Sequence, residues 1–182
     1  MKLKLFVLLV LGIIGIIFSS GCIQQKSPEG TIQPTGITSA KAWMDIELKD
    51  VTTGNKFKLS DFKGKPILLE SFAVWCPTCL EQQKKISELK SNEGDAIVHI
   101  SLDTDPNEDE AKVKEHVKRY GFDWYFAVSP IELTNALRDE FGLGIVNAPA
   151  APVVLICQNQ SARFLRRGVK PPDELLSEIK SC

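Results

Sequence analysis

Two cysteines separated by two residues, Cys76 and Cys79, are the residues of this chain best suited to chemistry. Such a pair can form half of a zinc site, attach a haem group or cycle between a dithiol and a disulfide. Haem attachment needs a histidine directly after the pair, where this chain has Leu80. Zinc binding needs a second cysteine pair, whereas Cys157 and Cys182 stand far apart in the sequence. The spacing therefore favours a redox-active dithiol.

The residues around the pair predict how the two thiols differ. Pro77 suits the first position of a helix, which places Cys76 at the N-cap. The N–H groups of Thr78 and Cys79 would then point at the Cys76 sulfur and, with the helix dipole, favour its thiolate. These interactions suffice to lower a thiol pKa from about 8.5 to about 7. Cys76 is therefore predicted to be the exposed nucleophile, and Cys79 the less exposed residue that resolves a mixed disulfide.

Hydrophobic periodicity predicts strands that alternate with helices. The predicted strands cover residues 43–48, 56–59, 66–72, 96–102, 124–128, 153–157 and 162–166. The predicted helices cover residues 76–90, 108–120, 131–141 and 172–180. This order indicates an α/β or α+β layered domain, with the cysteine pair between a buried strand and the helix that follows it.

The composition limits the class of partner. The 182 residues include 22 lysines and arginines against 23 acidic residues, a net charge of −1, and 43% of them are hydrophobic. These values are typical of a globular domain without a basic excess, so no nucleic-acid partner is expected.

The first part of the chain has a different character. An apolar run over residues 5–18 follows a basic start and is shorter than the ~20 residues of a membrane-spanning helix. Small residues then precede Cys22, as in a lipoprotein signal, although Ser19 stands where such signals usually carry leucine. The sequence predicts a signal over residues 1–21, a lipidated Cys22 and flexible tether over residues 22–41, and a domain over residues 42–182. An uncleaved signal anchor is the alternative, and either interpretation holds the domain at a membrane outside the cytoplasm.

Several segments resemble membrane-tethered thioredoxin-fold proteins of the TlpA–ResA type. The matching motifs are Phe57-x-Leu59-x-Asp61-Phe62-x-Gly64-Lys65-Pro66, Leu68-Leu69-x-Ser71-Phe72-Ala73-x-Trp75-Cys76-Pro77-x-Cys79, His99-Ile100-Ser101-Leu102-Asp103, Tyr120-Gly121-Phe122, Phe141-Gly142-Leu143 and Pro152-Val153-Val154-Leu155-Ile156. The resemblance spans residues 43–181. It implies a thioredoxin fold, a central mixed β-sheet flanked by helices, with an N-terminal β-hairpin and a helix–strand insertion over residues 104–128. It also implies extracytoplasmic thiol–disulfide exchange with cysteine-containing protein substrates and a membrane or soluble redox partner, without a metal or other cofactor.

The resemblance also implies a cis-proline that faces the cysteine pair. The candidates are Pro149 and Pro152, and Pro152 is preferred because it directly precedes an apolar strand. Its role would be to present the backbone of Ala151 to an extended substrate, and the small Ala151 side chain would leave an open groove.

Glu70 lies in an apolar strand at the position of a buried acid in thioredoxins. The resemblance implies that Glu70 accepts the proton of Cys79, and burial would raise its pKa. An acid exposed at the sheet edge is the alternative. Gln82 replaces a glutamate of the ResA branch, which weakens an assignment to cytochrome maturation. His99 is interpreted as a plain strand histidine, with pairing to Glu70 as the alternative.

The remaining candidates are assigned by position. Trp75, Pro77 and Thr78 are expected to form the substrate surface beside the reactive sulfur, with simple packing as the alternative for Trp75. Cys157 is interpreted as an inert buried thiol, with a disulfide to Cys182 as the alternative.

Two other functions compete with disulfide exchange. A peroxiredoxin-like peroxidase shares the broad fold, but its P-x-x-x-T-x-x-C motif does not precede Cys76. A metal-carrying or docking module on the same fold would need a wider cysteine spacing and a histidine nearby. The direction of exchange stays open, because the sequence does not fix the reduction potential of the pair.

Overall fold

The computed structural model describes residues 41–182. Its strands are β1 (Leu48–Lys49), β2 (Lys56–Phe57), β3 (Ile67–Phe72), β4 (Val98–Asp103), β5 (Tyr125–Val128), β6 (Val153–Ile156) and β7 (Ala162–Phe164). Its α-helices are α1 (Pro77–Glu93), α2 (Glu110–Tyr120), α3 (Ile131–Phe141) and α4 (Pro172–Lys180). The predicted alternation of strands and helices is confirmed, and α3 and α4 have the expected bounds.

Strands β3 to β7 form one mixed sheet in the order β5-β4-β3-β6-β7. Strand β3 runs parallel to β4, and β4 runs parallel to β5, whereas β6 is antiparallel to both β3 and β7. Strand β3 is therefore central, and all of its residues are buried. Because β3 and β4 are parallel, they end at the same edge of the sheet, where the chain enters the cysteine segment.

Side chains that alternate along β3 divide the core into two layers. Leu68 and Phe72 belong to a cluster with residues of α1, α2 and α4. Ile67 and Leu69 belong to a second cluster with residues of α3 and the N-terminal segment. Glu70 follows the alternation of Leu68 and Phe72, so its carboxyl group lies on the side of the sheet that α1 covers.

The predicted helix–strand insertion is formed by α2 and β5, which extend the sheet beyond β4. At the start of α2, the side chain of Asp109 accepts a hydrogen bond of 2.9 Å from the N–H of Lys112. At its end, Gly121 has a φ of 71°, a left-handed conformation that favours glycine. The predicted N-terminal hairpin is also present, as β1 pairs antiparallel with β2.

The strand predicted over residues 43–48 is wrong over most of its length. Ala42–Asp45 form a 3₁₀ turn, and the strand is confined to Leu48–Lys49. Trp43 and Met44 are both buried, although neighbouring side chains of a strand would point to opposite faces. Burial of two adjacent apolar side chains, with Trp43 packed edge-on against Phe141 of α3, therefore overrides the alternating pattern.

A disulfide bond joins Cys157, directly after β6, to Cys182. The interpretation of Cys157 as a free buried thiol is therefore wrong, and the alternative is confirmed. Packing of α4 brings the two residues together: Arg163 on β7 donates hydrogen bonds to the Glu178 carbonyl and the Ser181 hydroxyl. These contacts hold the end of α4 beside the sheet, with the two cysteine Cα atoms 5.3 Å apart.

The predictions for the signal, for Cys22 and for the tether up to residue 40 concern residues outside the described range, and the domain boundary stays a prediction. Within residues 41–182, no helix has the length and apolar character needed to cross a membrane.

Candidate active site

Cys76 and Cys79 lie at the start of α1, directly beyond the end of β3, and are joined by a disulfide bond. Cys76 is the N-cap, and Pro77 is the first residue of the helix, as predicted. The N–H of Cys79 donates to the Sγ of Cys76 over 3.1 Å, so one of the two predicted donors is in place. In the reduced pair, this bond and the helix dipole stabilise a thiolate on Cys76.

Exposure does not distinguish the two cysteines, contrary to the prediction. Cys76 and Cys79 are each only 1% exposed and lie in a buried cluster with Ala148, and the 3₁₀ turn Ala148–Ala150 packs against α1. The Sγ of Cys79 lies 3.1 Å from the carbonyl oxygen of Ala148. A reduced Cys79 can donate its S–H to this oxygen, which stabilises the neutral thiol. The difference between the two sulfurs is therefore one of hydrogen bonding.

Glu70 is fully buried on the central strand, so the alternative of an exposed acid at the sheet edge is wrong. Its Oε2 accepts a hydrogen bond of 2.8 Å from the hydroxyl of Ser101, which itself accepts one of 3.0 Å from the indole N–H of Trp124. Burial raises the pKa of Glu70 to about 8, although Ser101, Gln83 and the charge of Lys170 act to lower it. At neutral pH such a carboxyl group is mostly protonated, with a minor ionised fraction.

The segment before β6 differs from what the resemblance implies. Residues 41–182 contain no cis peptide bond, so the bond before Pro152 is trans. Ala151 ends the 3₁₀ turn Ala148–Ala150 in a left-handed conformation, with a φ of 44°. Its N–H donates to the carbonyl of Ala148 over 2.8 Å, and its own carbonyl accepts 2.8 Å from the Nζ of Lys170. The Ala151 backbone is therefore occupied and buried, and the open groove expected at this position is not formed.

Of the residues predicted to bind substrate, Trp75, Pro77 and Thr78 reach the surface, whereas Ala151 and Pro152 are buried. Trp75 is 59% exposed, Pro77 is exposed and Thr78 is half-buried. The Trp75 indole N–H donates to Asp105 over 2.6 Å, and the N–H of Val74 donates to Glu108 over 2.7 Å. An acidic loop after β4 thus holds the exposed aromatic ring of Trp75, the residue that precedes Cys76.

Lys170 was missed in the sequence, and Gln82 was considered only as the replacement of a glutamate, whereas the structure joins these two residues. Lys170 is fully buried, and Nζ donates to the carbonyls of Ala151, Gly168 and Arg166. Gln82 on α1 accepts the N–H of Lys170 over 2.8 Å and donates to its carbonyl over 3.2 Å. Lys170 closely follows Arg166 and Arg167 in the sequence, so no local signal pointed to its burial.

Asp103, at the end of β4, was also missed. It is buried, and its Oδ1 accepts the N–H of Asp105 over 3.0 Å. Burial and the nearby carboxylates of Glu108 and Asp105 raise its pKa. Among residues 41–182, no group of three or more His, Cys, Asp or Glu side chains is arranged to hold a metal ion.

His99 is a plain strand histidine, as interpreted. It lies opposite Leu68 in the sheet, and its ring packs edge-on against Trp124 at 6.4 Å. Within the described residues its ring nitrogens have no hydrogen-bond partner, so it is not paired with Glu70. Burial lowers the pKa of His99 to about 4, which keeps the ring neutral.

The protein has a mixed sheet with helices on both faces, and its central strand leads to a helix that begins at the cysteine pair. This arrangement defines a thioredoxin fold. The family described as Redoxin matches residues 28–179. The chain belongs to this family.

Curated relatives carry names from thiol chemistry. The thiol-disulfide oxidoreductase ResA of Bacillus thuringiensis subsp. konkukian is 32% identical over 75 residues, which cover 41% of this chain and 43% of that protein. The thiol:disulfide interchange protein DsbE of Vibrio cholerae is 26% identical over 86 residues, which cover 47% of this chain and 46% of that protein. The chain spans about half the length of these relatives.

Solved structures agree on the fold. A protein of Aquifex aeolicus VF5 assigned to electron transport has a TM-score of 0.63 and 25% identity, over 75% of this chain and 92% of that chain. A thiol:disulfide interchange protein of Chlorobium tepidum TLS has a TM-score of 0.59 and 21% identity, over 75% of this chain and 91% of that chain.

Proposed function

We propose that this protein is a thiol–disulfide oxidoreductase that exchanges disulfides with cysteine-containing proteins through Cys76 and Cys79. The observation that carries the proposal is the unequal environment of the two sulfurs at the start of α1. Cys76 Sγ accepts an N–H, whereas Cys79 Sγ faces the carbonyl oxygen of Ala148. The names of the curated relatives support the same chemistry.

The reaction consists of two exchange steps. The Cys76 thiolate attacks one sulfur of a substrate disulfide, a bond forms between them, and the other substrate sulfur leaves as a thiolate that takes up a proton. Cys79 then loses its proton and attacks Cys76 Sγ, which forms the Cys76–Cys79 disulfide and releases the second substrate thiol. The substrate gains two electrons and two protons, and the dithiol of the protein loses them. The reverse sequence oxidises a substrate dithiol.

Glu70 accepts the proton of Cys79 in the second step. Its pKa of about 8 lies close to neutral pH, which is where a general base is most effective. Ser101 donates to Oε2, which leaves Oε1, near the Gln83 side chain, to take the proton.

The exposed surface of Trp75, Pro77 and Thr78 binds the substrate beside the reactive sulfur. A large aromatic ring supplies contact area that does not depend on one substrate sequence. The hydrogen bond from Trp75 to Asp105 fixes the ring while its face stays exposed.

The protein acts at the extracytoplasmic face of a membrane. Residues 1–21 are its signal and Cys22 its lipidation site, with an uncleaved anchor as the alternative. The Cys157–Cys182 disulfide supports this location, because structural disulfides persist in oxidising compartments. A redox partner in the membrane or in solution then restores the redox state of the active pair.

Turnover of insulin disulfides tests the function. The full chain in detergent should accelerate the reduction of insulin by dithiothreitol, and the double variant Cys76→Ser/Cys79→Ser should not. The matched control is Cys157→Ser/Cys182→Ser, which removes the other disulfide and should remain active. Equal acceleration by the active-site double variant and the unaltered chain would overturn the proposal.

A further inference from the structure

Lys170 occupies an unusual position for a lysine. Its side chain is fully buried, and lysine is almost never buried without a partner. The three N–H bonds of its ammonium group match three carbonyl acceptors, with Nζ lying 2.8 Å from Ala151, 2.6 Å from Gly168 and 3.2 Å from Arg166. The site is therefore built for a charged ammonium group.

The main chain of Lys170 is fixed to the helix that carries the cysteines. The side-chain amide of Gln82 pairs with both the N–H and the carbonyl of Lys170. Gln82 lies one turn after Cys79 on α1. A rigid connection therefore runs from α1 through the backbone of Lys170 to its ammonium group.

The ammonium group in turn holds the turn that covers Cys79. Lys170 binds the carbonyl of Ala151, whose N–H bonds to the carbonyl of Ala148. That same Ala148 carbonyl lies 3.1 Å from the Sγ of Cys79. The neighbouring loop adds a second tie, because the N–H of Gly168 donates to the carbonyl of Ala150 over 2.7 Å.

We propose that Lys170 is a positioning residue for the second exchange step: it holds the Ala148–Ala151 turn in place, and the Ala148 carbonyl then keeps the Cys79 sulfur in the position from which it bonds to Cys76. This inference rests on the proposed function and assigns Lys170 to the resolution of the mixed disulfide. Attack by Cys76 depends on the N–H at the start of α1 and is independent of Lys170.

The charged groups around Lys170 agree with this role. They are Glu70 on β3, Arg166 in the preceding loop and Glu174 on α4. Burial and Arg166 lower the pKa of Lys170 to about 8, while Glu70 and Glu174 act to raise it. The interaction is mutual, since the charge of Lys170 lowers the pKa of Glu70 against the effect of burial. Removal of the ammonium group should therefore raise the pKa of Glu70 further.

The two steps can be measured separately with an aromatic disulfide reagent that releases a coloured thiol. The reduced full chain, in detergent, releases one equivalent of coloured thiol when Cys76 attacks and a second when Cys79 resolves the mixed disulfide. Both phases are measured by stopped flow across the neutral and alkaline range. Cys79→Ser, which can give only the first phase, identifies them.

The test compares Lys170→Met and Lys170→Arg with Lys114→Met, a control on the exposed face of α2. In Lys170→Met the second phase should slow about tenfold near neutral pH, and its pH midpoint should rise by about one unit. Its first phase should stay within about twofold of the unaltered chain. Lys170→Arg keeps the charge and should keep the midpoint, and Lys114→Met should change neither phase.

A further variant covers failure of Lys170→Met to fold, which circular dichroism would reveal. Gln82→Leu keeps both charged groups but frees the main chain of Lys170, so it should slow the second phase without moving its midpoint. An unchanged second phase in the folded Lys170→Met variant, or in Gln82→Leu if the former does not fold, would overturn the role of Lys170. Absence of both phases in the unaltered chain would instead contradict the proposed function itself.

Discussion

The backbone N–H of Cys79 points at the Sγ of Cys76 over 3.1 Å, and no equivalent donor within the described residues serves the Cys79 sulfur. A thiolate gains from such a donor, whereas a thiol gains from a carbonyl acceptor such as that of Ala148. The two sulfurs thus have opposite preferences at the same degree of burial, and in the proposed reaction this difference orders the two steps of exchange.

Trapping of intermediates checks that order. Cys79→Ser should accumulate mixed disulfides with protein substrates, because Cys76 attacks and nothing resolves the product. Cys76→Ser should accumulate about tenfold less, since Cys79 keeps its proton and lacks a helix N–H. The measurement is a non-reducing gel of complexes formed with a reduced or oxidised test protein. Equal accumulation by the two variants would contradict the assignment of Cys76 as the nucleophile.

Replacement of Glu70 by Gln should change stability in a pH-dependent way. Burial raises the pKa of Glu70 from 4.5 to about 8, so folding favours its protonated form. Above about pH 4.5 the unfolded chain has an ionised Glu70, whereas the native state must either bind a proton there or bury the charge. The contribution of Glu70 to stability therefore falls as pH rises from about 4.5 to about 8. Glu70→Gln removes this loss and should increase the free energy of unfolding at about pH 8, by up to about 5 kcal/mol.

Denaturant unfolding at mildly acidic and mildly alkaline pH measures this effect. The gain in Glu70→Gln should shrink on the acidic side, and Glu47→Gln, at an exposed site, is the matched control. The same variant should slow the second phase of exchange and leave the first nearly unchanged. A resolution rate equal to that of the unaltered chain would remove Glu70 from the mechanism.

The Cys157–Cys182 disulfide should contribute to stability and not to exchange. The bridge joins residues 25 apart, for which the loss of unfolded-chain entropy amounts to about 3 kcal/mol. Cys157→Ser/Cys182→Ser should lower the free energy of unfolding by about this amount and leave both phases of exchange within about twofold. Urea unfolding and stopped-flow rates measure the two properties separately, and a large loss of exchange rate in the folded variant would contradict the separation.

Trp75→Ala should weaken recognition of proteins more than it affects sulfur chemistry. Loss of an exposed ring at the centre of a contact surface typically costs about 2 kcal/mol, so KM for a protein substrate should rise by about tenfold or more. The reaction with a small aromatic disulfide should change much less. Trp75→Phe keeps the ring but not the hydrogen bond to Asp105, and it should retain most of the affinity. An equal loss of activity with both substrates would indicate that Trp75 maintains the geometry of the cysteines and does not bind the protein substrate.

Two predictions concern how residues 1–40 attach the protein to a membrane. Removal of residues 1–40 should give a protein that stays in solution, folds and exchanges disulfides at rates close to those of the full chain. In the full chain, Cys22→Ala should abolish labelling by a radioactive fatty acid if Cys22 carries lipid. Labelling that persists in Cys22→Ala would exclude lipidation at this residue, and a truncated domain that does not fold would place its boundary earlier.

Local chemistry explains which features the sequence could predict. The N-cap cysteine, Pro77 at the first helical position and the bounds of α3 depend on neighbouring residues, and each was predicted. The burial of Glu70 followed from its apolar strand.

The features that were missed depend on contacts between distant segments. Lys170 is buried because residues far away in the chain supply its acceptors, and Cys182 meets Cys157 only after α4 has packed. The backbone of Ala151 turns inward through a bond that Lys170 supplies. The prediction that Cys76 is exposed was wrong for the same reason, since Cys76 is buried in a cluster that includes Ala148.

The long separation between Cys79 and its cover has a consequence for biogenesis. Ala148 follows Cys79 by 69 residues, and β6, the antiparallel neighbour of β3, comes later still. A chain that emerges from its N-terminus therefore presents Cys76 and Cys79 uncovered while Cys157 and Cys182 have yet to appear. During that interval Cys76 and Cys79 are far closer in sequence to each other than either is to Cys22, and the shorter loop costs less entropy to close. The order of the cysteines along the chain thus favours the Cys76–Cys79 bond over bonds from either residue to Cys157 or Cys182.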